Sequence, residues 1–313
     1  MKKKTIKIFG MILAVCLGMC MMAACGNNAP EPASAPEPAP AAEPVAEPEP
    51  VAEPEPAEEE LTGDVITAGS TSVQPLSQEL ADVFEDMHPG VMIDVMGGGS
   101  GAGVKSVEDD TADFGALSRE LKDEEKALAV AEYVIAKDGI AVVVHADVDV
   151  DDLTKEQLMG IFTGEITDWS AVGGAGGKIE VVAREEGSGT RDAFNELTGV
   201  QGKDADGNNI DNTVETAIIQ GSTGAVVTTV STTENSIGYI SLGSLNSDVK
   251  AVMVEGVAPS AATVLDGSYV VSRPFIYITG RSPLSPAAQA FIDFVMSPAG
   301  QAIVEDSGFI PVG

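Results

Sequence analysis

From Leu61 onward, short apolar and β-branched runs alternate with amphipathic segments, and this alternation constrains the fold more than any other feature of the chain. The stretches "DVITAGST" and "VMIDVMGG" each indicate a strand that ends in a turn, and the residues between them predict an amphipathic helix. Strands separated by helices at this spacing predict an α/β fold with mainly parallel pairing. Ligands of such folds bind beyond the carboxyl ends of the strands, in the turns that lead into the helices.

Two long apolar runs, residues 138–145 and 273–279, are suited to strands that cross between two lobes. Two crossings predict a discontinuous lobe 1, formed by residues 61–141 and 273–313, and a lobe 2 formed by residues 142–272. A long helix is predicted to begin near Asn212.

The first sixty residues do not have the pattern of a folded core. Four lysines precede an uncharged, apolar run over residues 8–24, and small residues stand directly before Cys25. This pattern is typical of an export signal and resembles the lipobox of bacterial lipoproteins, so we expect residues 1–24 to be removed and Cys25 to carry a lipid. A transmembrane anchor is the alternative, although the run is short for one. Residues 25–60, rich in Pro, Ala and Glu, predict a disordered stalk.

Charge and cysteine usage exclude several classes of function. The chain carries 49 acidic and 17 basic residues, a formal net charge of −32, which disfavours nucleic acid as a partner. All three cysteines lie within the first 25 residues, so the predicted folded part has no thiol for a disulfide or for catalysis. Its two histidines, His88 and His145, do not have metal-ligand spacing. We therefore expect no metal and no cofactor.

Three predicted strand-to-helix turns are rich in glycine and hydroxyl side chains. Such turns expose backbone N–H groups at the positive end of a helix, where anions bind. Each turn by itself is equally well explained as an ordinary helix cap, but three turns with an adjacent arginine favour an anion site. The turns are "AGSTSV", with Ser70, Thr71 and Ser72; "GGGSGAG", with Ser100 and Gly101; and "REEGSGTRD", with Arg184, Ser188, Gly189, Thr190 and Arg191.

Enzymatic interpretations of these turns are weaker. Gly97, Gly99 and Ala102 fit a dinucleotide fingerprint, but they follow the second predicted strand, not the first. The chain has no P-loop pattern, and Ser188 lacks both the G-x-S-x-G spacing and a nearby histidine. We expect a binding protein without catalytic residues.

In this order, and together with "TADFGALSREL" and "FTGEITDWSAVGG", the three turns resemble the phosphate-specific substrate-binding proteins of ABC transporters. The resemblance covers residues 61–313 and implies a type II periplasmic-binding-protein fold, in which two lobes close about a hinge over one phosphate. It implies an ABC permease as partner. Together with the expected lipid on Cys25 and the long charged stalk, it leads us to expect an extracytoplasmic, lipid-anchored monomer on a Gram-positive-type surface. The phosphate ligands that it implies are Ser70, Thr71, Ser72, Ser100 and Asp113 from lobe 1, and Arg184, Ser188, Gly189 and Thr190 from lobe 2. Gly101, Ser118 and Arg191 are further candidates, and no role transfers to Arg119.

Elementary chemistry gives two of these residues distinct tasks. Near neutral pH phosphate keeps a proton and sulfate does not, so Asp113 is expected to accept a hydrogen bond from the protonated phosphate oxygen and to repel sulfate. Arg184 offers a permanently charged fork for two oxygens, unless it forms an ion pair with Glu185 or Glu186. Arg191 is equally well explained as the partner of a carboxylate. Three alternatives stay open: a receptor for sulfate or molybdate, an extracytoplasmic phosphohydrolase, and an adhesive or signalling lipoprotein.

Overall fold

The computed structural model describes residues 60–312. The predicted signal peptide, the stalk and Cys25 lie outside these residues. Twelve strands are assigned within the described part: β1 Thr62–Gly69, β2 Gly90–Gly97, β3 Phe114–Leu117, β4 Ala131–Val144, β5 Asp152–Leu153, β6 Glu180–Arg184, β7 Gln201–Lys203, β8 Asn209–Asp211, β9 Ile218–Gln220, β10 Ser236–Ser241, β11 Lys250–Val254 and β12 Ser272–Thr279. The α-helices of the same part are α1 Gln74–Met87, α2 Ser100–Glu108, α3 Lys155–Phe162, α4 Gly189–Thr198, α5 Thr223–Thr232, α6 Ala261–Leu265, α7 Pro286–Met296 and α8 Pro298–Asp306.

The strands form a mixed sheet in the order β2-β1-β3-β12-β4-β10-β6-β9, and β11 pairs with β4 and β5. Pairing is parallel at each end of this order, where β1 lies between β2 and β3, and β6 lies between β10 and β9. In the middle, β12 and β4 pair antiparallel with their neighbours. The α/β fold predicted from the sequence is confirmed, but the sheet is mixed because the two long connecting strands run antiparallel to the strands beside them.

Two groups of helices pack on different strands of this sheet, and each group forms the core of one lobe. The core of lobe 1 packs α1 and α7 against β1, β3 and β12 through aromatic side chains such as Phe84, Phe114 and Phe291. The core of lobe 2 packs α3 and α4 against β6 and β10, with Phe162, Phe194 and Tyr239 in mutual contact. Strand β4 contributes to both lobes, because residues 131–139 pair with β12 whereas residues 140–144 pair with β10.

A buried ion pair joins the two strands that connect the lobes. Arg273, in β12, donates from Nε and Nη2 to Asp138 Oδ2 at 3.1 and 3.0 Å, and the two residues face each other in the β4–β12 register. The other carboxylate oxygen of Asp138 accepts from the Ser241 hydroxyl at 3.0 Å and from the amide of Leu242 at 3.2 Å. These bonds tie both connecting strands to β10 of lobe 2.

The prediction of a long helix near Asn212 is wrong. The chain forms strand β8 up to Asp211, then a turn, then β9, and α5 begins at Thr223. Asp211 explains the turn, because its side chain accepts from the amide of Thr213 at 2.8 Å and from Arg191 Nε at 2.6 Å. The bond from the Thr213 amide closes a local turn after β8, and the bond from Arg191 holds the Asp211 carboxylate in place. Between residues 60 and 312, no helix is long and apolar enough to cross a membrane.

Candidate functional site

The hydroxyl-rich turns meet at the carboxyl ends of the strands. Strand β1 ends at Gly69, opposite Gly97 at the end of β2, so their following turns lie side by side. In the other lobe, β6 ends at Arg184 and leads into α4, which Ser188 caps by accepting from the amide of Arg191 at 3.4 Å. The site is therefore built from strand ends and helix N-termini of both lobes.

On the lobe 1 side, three serines form one buried hydrogen-bonded group. The Ser70 hydroxyl donates to Ser118 Oγ at 2.8 Å, and the amide of Ser118 donates to Ser100 Oγ at 3.1 Å. All three side chains are buried. Gly99, at φ 86° and ψ 160°, adopts an extended positive-φ conformation that glycine tolerates and that lets the chain turn directly into α2. Ser118, a secondary candidate from the sequence, thus lies next to Ser70 and Ser100.

On the lobe 2 side, Arg184 is the central charged group. Its side chain is only 2% exposed, and Nη1 donates to Thr223 Oγ1 at 3.2 Å while Nη2 donates to Thr71 Oγ1 at 3.1 Å. Nε and Nη2 also donate to the two carboxylate oxygens of Glu185, each at 2.8 Å. The ion-pair interpretation of Arg184 is therefore realised with Glu185, while Nη1 and Nη2 also reach hydroxyls of α5 and of the first turn.

Direct contacts join the two halves of the site. Ser72 Oγ lies 2.8 Å from Thr190 Oγ1 and 3.0 Å from Thr223 Oγ1, and the amide of Gly101 donates to the carbonyl of Gly187 at 3.0 Å. Gly189 packs so tightly against Ser100 that a Cβ atom at this position would overlap the serine hydroxyl. The lobes are closed on each other, and each hydroxyl can donate or accept a hydrogen bond.

The structure does not bring Asp113, a phosphate ligand expected from the sequence, into this cluster. Asp113 precedes β3, whereas Ser118 follows β3, so an extended chain of about 17 Å separates them. Asp113 Oδ2 accepts from the amide of Ile66 at 2.8 Å, and the amide of Asp113 donates back to the Ile66 carbonyl at 2.9 Å. With these bonds, Asp113 fixes the start of β3 beside β1 and lines a pocket with Gly280 and Ser282, away from the hydroxyl cluster.

Arg191 stabilises the backbone and a neighbouring carboxylate around the site. Its Nε donates to Asp211 Oδ2 and its Nη1 to the carbonyl of Arg184, both at 2.6 Å. Burial raises the pKa of the Asp211 carboxyl, but hydrogen bonds from Arg191 and Thr213 outweigh that effect and lower it. Of the two alternatives from the sequence, the structure shows the carboxylate partner.

Thr223 and Glu185 are two residues of the site that sequence reasoning missed. Thr223 stands at the first position of α5, directly after the capping residue Ser222, and is buried. The signal was present, because "QGSTGAV" repeats the Gly-Ser-Thr composition of the first turn. It was hidden by the wrong helix prediction, which placed this stretch inside a helix. The sequence indicates Glu185 only as a possible ion-pair partner of Arg184.

Acidic and histidine side chains do not gather into a metal centre in the part of the chain that the structure describes. Between residues 60 and 312, no three His, Cys, Asp or Glu side chains lie close enough to hold a metal ion. The charged group that faces the hydroxyls is a cation, Arg184.

A buried arginine among hydroxyls and helix N-termini, between two α/β lobes, defines a two-lobed anion-binding protein. The PBP superfamily domain matches residues 54–299. The Bacillus subtilis phosphate-binding protein PstS is 32% identical over 260 residues, 82% of this chain and 83% of that protein. The chain therefore belongs to the PstS family of phosphate-binding proteins, in the PBP superfamily.

Two further relatives define the extent of the likeness. The Streptococcus pneumoniae TIGR4 phosphate-binding protein PstS 2 is 53% identical over 136 residues, so the matched part is 44% of this chain and 46% of that relative. A Clostridium perfringens protein, solved with bound phosphate and named a putative phosphate ABC transporter substrate-binding protein, is 40% identical. That match covers 80% of this chain and 100% of the solved chain, with a TM-score of 0.74.

Proposed function

We propose that the protein is an extracytoplasmic receptor that binds inorganic phosphate between its lobes and delivers it to an ABC permease. The observation that carries this proposal is Arg184, a buried cation that faces hydroxyls of both lobes through Thr71 and Thr223. Charge-assisted bonds from a buried arginine are strong, and helix N-termini around it add further attraction for an anion. The bound phosphate of the C. perfringens relative supports the same ligand.

The proposed phosphate ligands follow the geometry of the cluster. From the sequence we retain Ser70, Thr71, Ser72, Ser100, Arg184, Ser188, Gly189 and Thr190. Ser118 and Thr223 join them because they touch members of this set, at Ser70 and Ser72 respectively. Asp113 is not among the proposed ligands, and we propose that Arg191 stabilises the turn between β6 and α4. Gly101 acts through its amide, which donates to Gly187 across the cleft.

Closure of the lobes is the proposed mechanism. Phosphate meets one lobe first in an open form, and donors from the second lobe then favour the closed form, since that form alone surrounds the anion. The connecting strands β4 and β12 supply the hinge, near the Asp138–Arg273 pair. We propose lobe 1 as residues 61–141 and 273–313 and lobe 2 as residues 142–272, with Ile140 and Ala141 already packed on lobe 2 strands.

A second candidate is a receptor for another tetrahedral oxyanion such as sulfate. One observation favours it: with Asp113 outside the cluster, the adjoining carboxylate is Glu185, which already accepts two bonds from Arg184. Hydroxyl groups can accept a hydrogen bond from the protonated oxygen of phosphate, but they do not repel sulfate as a carboxylate would. Selectivity between these anions is therefore the property that separates the candidates.

Attachment to the membrane is proposed from the sequence alone. We propose cleavage after residue 24, a lipid on Cys25 and a stalk over residues 25–60, which would hold a monomeric receptor near its permease on a Gram-positive-type surface. If the purified protein released phosphate from a phosphomonoester, that result would contradict the proposed receptor function and favour a phosphohydrolase.

Calorimetric titration with phosphate, sulfate and molybdate tests the proposal. We expect phosphate to bind and Arg184→Ala to weaken it at least about 100-fold, because two charge-assisted bonds of about 1.5–3 kcal/mol each depend on this side chain. The matched control is Arg281→Ala, an exposed arginine in the loop after β12, which should leave the affinity unchanged. Absence of phosphate binding by the wild-type protein overturns the proposal, and equal affinity for sulfate favours the second candidate.

A further inference from the structure

Four charged side chains lie beside the hydroxyl cluster without being part of it. Arg119 directly follows Ser118, and Lys122 and Glu125 come shortly after it in lobe 1. Asp192 belongs to the first turn of α4 in lobe 2, two residues after Thr190. We refer to Arg119, Lys122, Glu125 and Asp192 as the interlobe charge cluster.

Within lobe 1, Arg119 and Glu125 form a bidentate salt bridge. Arg119 Nη1 donates to Glu125 Oε2 at 2.6 Å, and Nη2 donates to Oε1 at 2.8 Å. The amide of Lys122 donates to the same carboxylate at 3.0 Å. All these bonds join residues of one short segment, so they do not depend on how the lobes are placed.

Asp192 reaches this pair from the opposite lobe. Its Oδ2 atom lies 2.9 Å from Arg119 Nε and 3.0 Å from Lys122 Nζ. Neither Arg119 Nε nor Asp192 Oδ2 has a hydrogen bond of good geometry, so the attraction between them is that of two opposite charges. These two contacts exist only while α4 is held against lobe 1.

Burial strengthens the attraction between Arg119 and Asp192. The side chain of Arg119 is 6% exposed and that of Asp192 is 28% exposed, so solvent screens their attraction less than it screens a surface pair. Burial lowers the pKa of Arg119, but Glu125 and Asp192 together outweigh this effect and raise it. Arg119 and Lys122 carry two positive charges against the single charge of Glu125, and Asp192 neutralises the remainder.

We propose that Asp192 is a positioning residue for lobe closure: by pairing with Arg119 and Lys122 it holds the N-terminus of α4 against the lobe 1 serines. Gly189 and Thr190 belong to that N-terminus, so the same contact that closes the lobes completes the hydroxyl cluster. The ligand part of this proposal rests on the proposed function. The closure part does not, because the charge pairing is between protein groups alone. The closed form is consequently favoured in the free protein, and added salt weakens it.

The first test compares Asp192→Asn with Asp123→Asn. Asp123 is the matched control because its side chain is 94% exposed and pairs with Lys126 of the same segment, at 2.7 Å. In the phosphate-free protein we expect Asp192→Asn to increase the radius of gyration measured by small-angle X-ray scattering. We also expect it to raise the phosphate dissociation constant about 10-fold, or about 1.4 kcal/mol. Asp123→Asn should change neither quantity, and thermal unfolding will verify that both variants are folded.

A double-mutant cycle with Lys122→Met separates pairing from a general loss of structure. If Asp192 acts through its cationic partners, the double variant Lys122→Met/Asp192→Asn binds phosphate no more weakly than Asp192→Asn alone, and its affinity responds less to added salt than that of the wild type. Independent, additive effects overturn the proposal, and so does a radius of gyration that Asp192→Asn leaves unchanged. Absence of phosphate binding by the wild type refutes the proposed function instead, and the scattering measurement then still decides whether Asp192 holds the lobes together.

Discussion

Replacing Gly189 by alanine should weaken closure of the lobes without destabilising either lobe. Gly189 is the first residue of α4, where its backbone is helical, so alanine fits the helix and removes the conformational freedom of glycine. Its Cβ would nevertheless overlap the Ser100 hydroxyl, and it would lie 2.9 Å from Ser100 Cβ and 2.8 Å from Ser118 Oγ. The substituted methyl group therefore meets lobe 1 only when the lobes are closed.

The cost follows from the distances across the cleft. Rotation of the Ser100 hydroxyl relieves one overlap, but Ser100 Cβ must move away by about 0.6 Å to reach an ordinary contact of about 3.5 Å. A shift of that size lengthens the contacts from Ser72 to Thr190 and Thr223, now 2.8 and 3.0 Å, to the limit of hydrogen bonding. Loss of two or three such bonds, at about 1 kcal/mol each, weakens closure by about 2–3 kcal/mol, or about 30- to 150-fold in affinity.

Calorimetry with phosphate measures this loss, and thermal unfolding measures the stability of the lobes. Gly224→Ala is the matched control, since Gly224 also lies in the first turn of a helix at the site, yet a Cβ there meets no atom within 4 Å. We expect wild-type affinity for Gly224→Ala and unfolding temperatures no lower than wild type for both variants. Wild-type phosphate affinity in Gly189→Ala would refute the reasoning, because the closed contact at this glycine would then not be needed for binding.

Three further predictions concern stability, measured by urea unfolding. Glu125→Gln should lower the free energy of unfolding by about 2 kcal/mol at pH 7, because Arg119 then faces a neutral acceptor. Burial raises the pKa of Glu125, but bonds from Arg119 and Lys122 outweigh it and lower the pKa. The wild-type advantage is therefore present above the unfolded value of about 4.3 and lost as pH falls through the folded pKa, so a difference that does not shrink as the pH is lowered below the unfolded value would contradict it. Asp138→Asn should cost about 3–5 kcal/mol by leaving Arg273 buried without a counter-charge, and adding Arg273→Met should recover most of this loss. Thr154→Ala should cost about 1 kcal/mol by removing the capping box of α3, and an unchanged unfolding midpoint would show that this cap is not needed.

The binding turns could be predicted from the sequence because their signals are local. Ser70, Ser100 and Ser188 stand where an apolar run gives way to glycine and hydroxyl residues, and the structure puts all three beside strand ends or helix starts. Thr223 carries the same signal, and it was missed only because the stretch before it was assigned to a helix. The roles of these residues in binding phosphate stay a prediction, which the titrations above test.

Asp113 shows where local patterns fail. The prediction relied on its neighbours in "DFGA", but a four-residue strand separates residues that precede it from residues that follow it. The same stretch contains Ser118, which does reach the cluster, so one motif contributes to both ends of β3. The motif predicts that a strand is present. Which end of the strand faces the other lobe depends on the direction of the strand in the sheet, and the motif does not determine that direction.

Apolar periodicity, the composition of the turns and the position of Arg184 in the chain determined the α/β class and the anion site, because each of these depends on residues close in sequence. The tertiary structure alone decided which partners meet across the cleft. Ser72 contacts Thr190 and Asp192 contacts Arg119, and in both pairs the partners lie far apart in the sequence. Such contacts depend on the path of the connecting strands β4 and β12, and no local pattern encodes the angle at which those strands bring two lobes together.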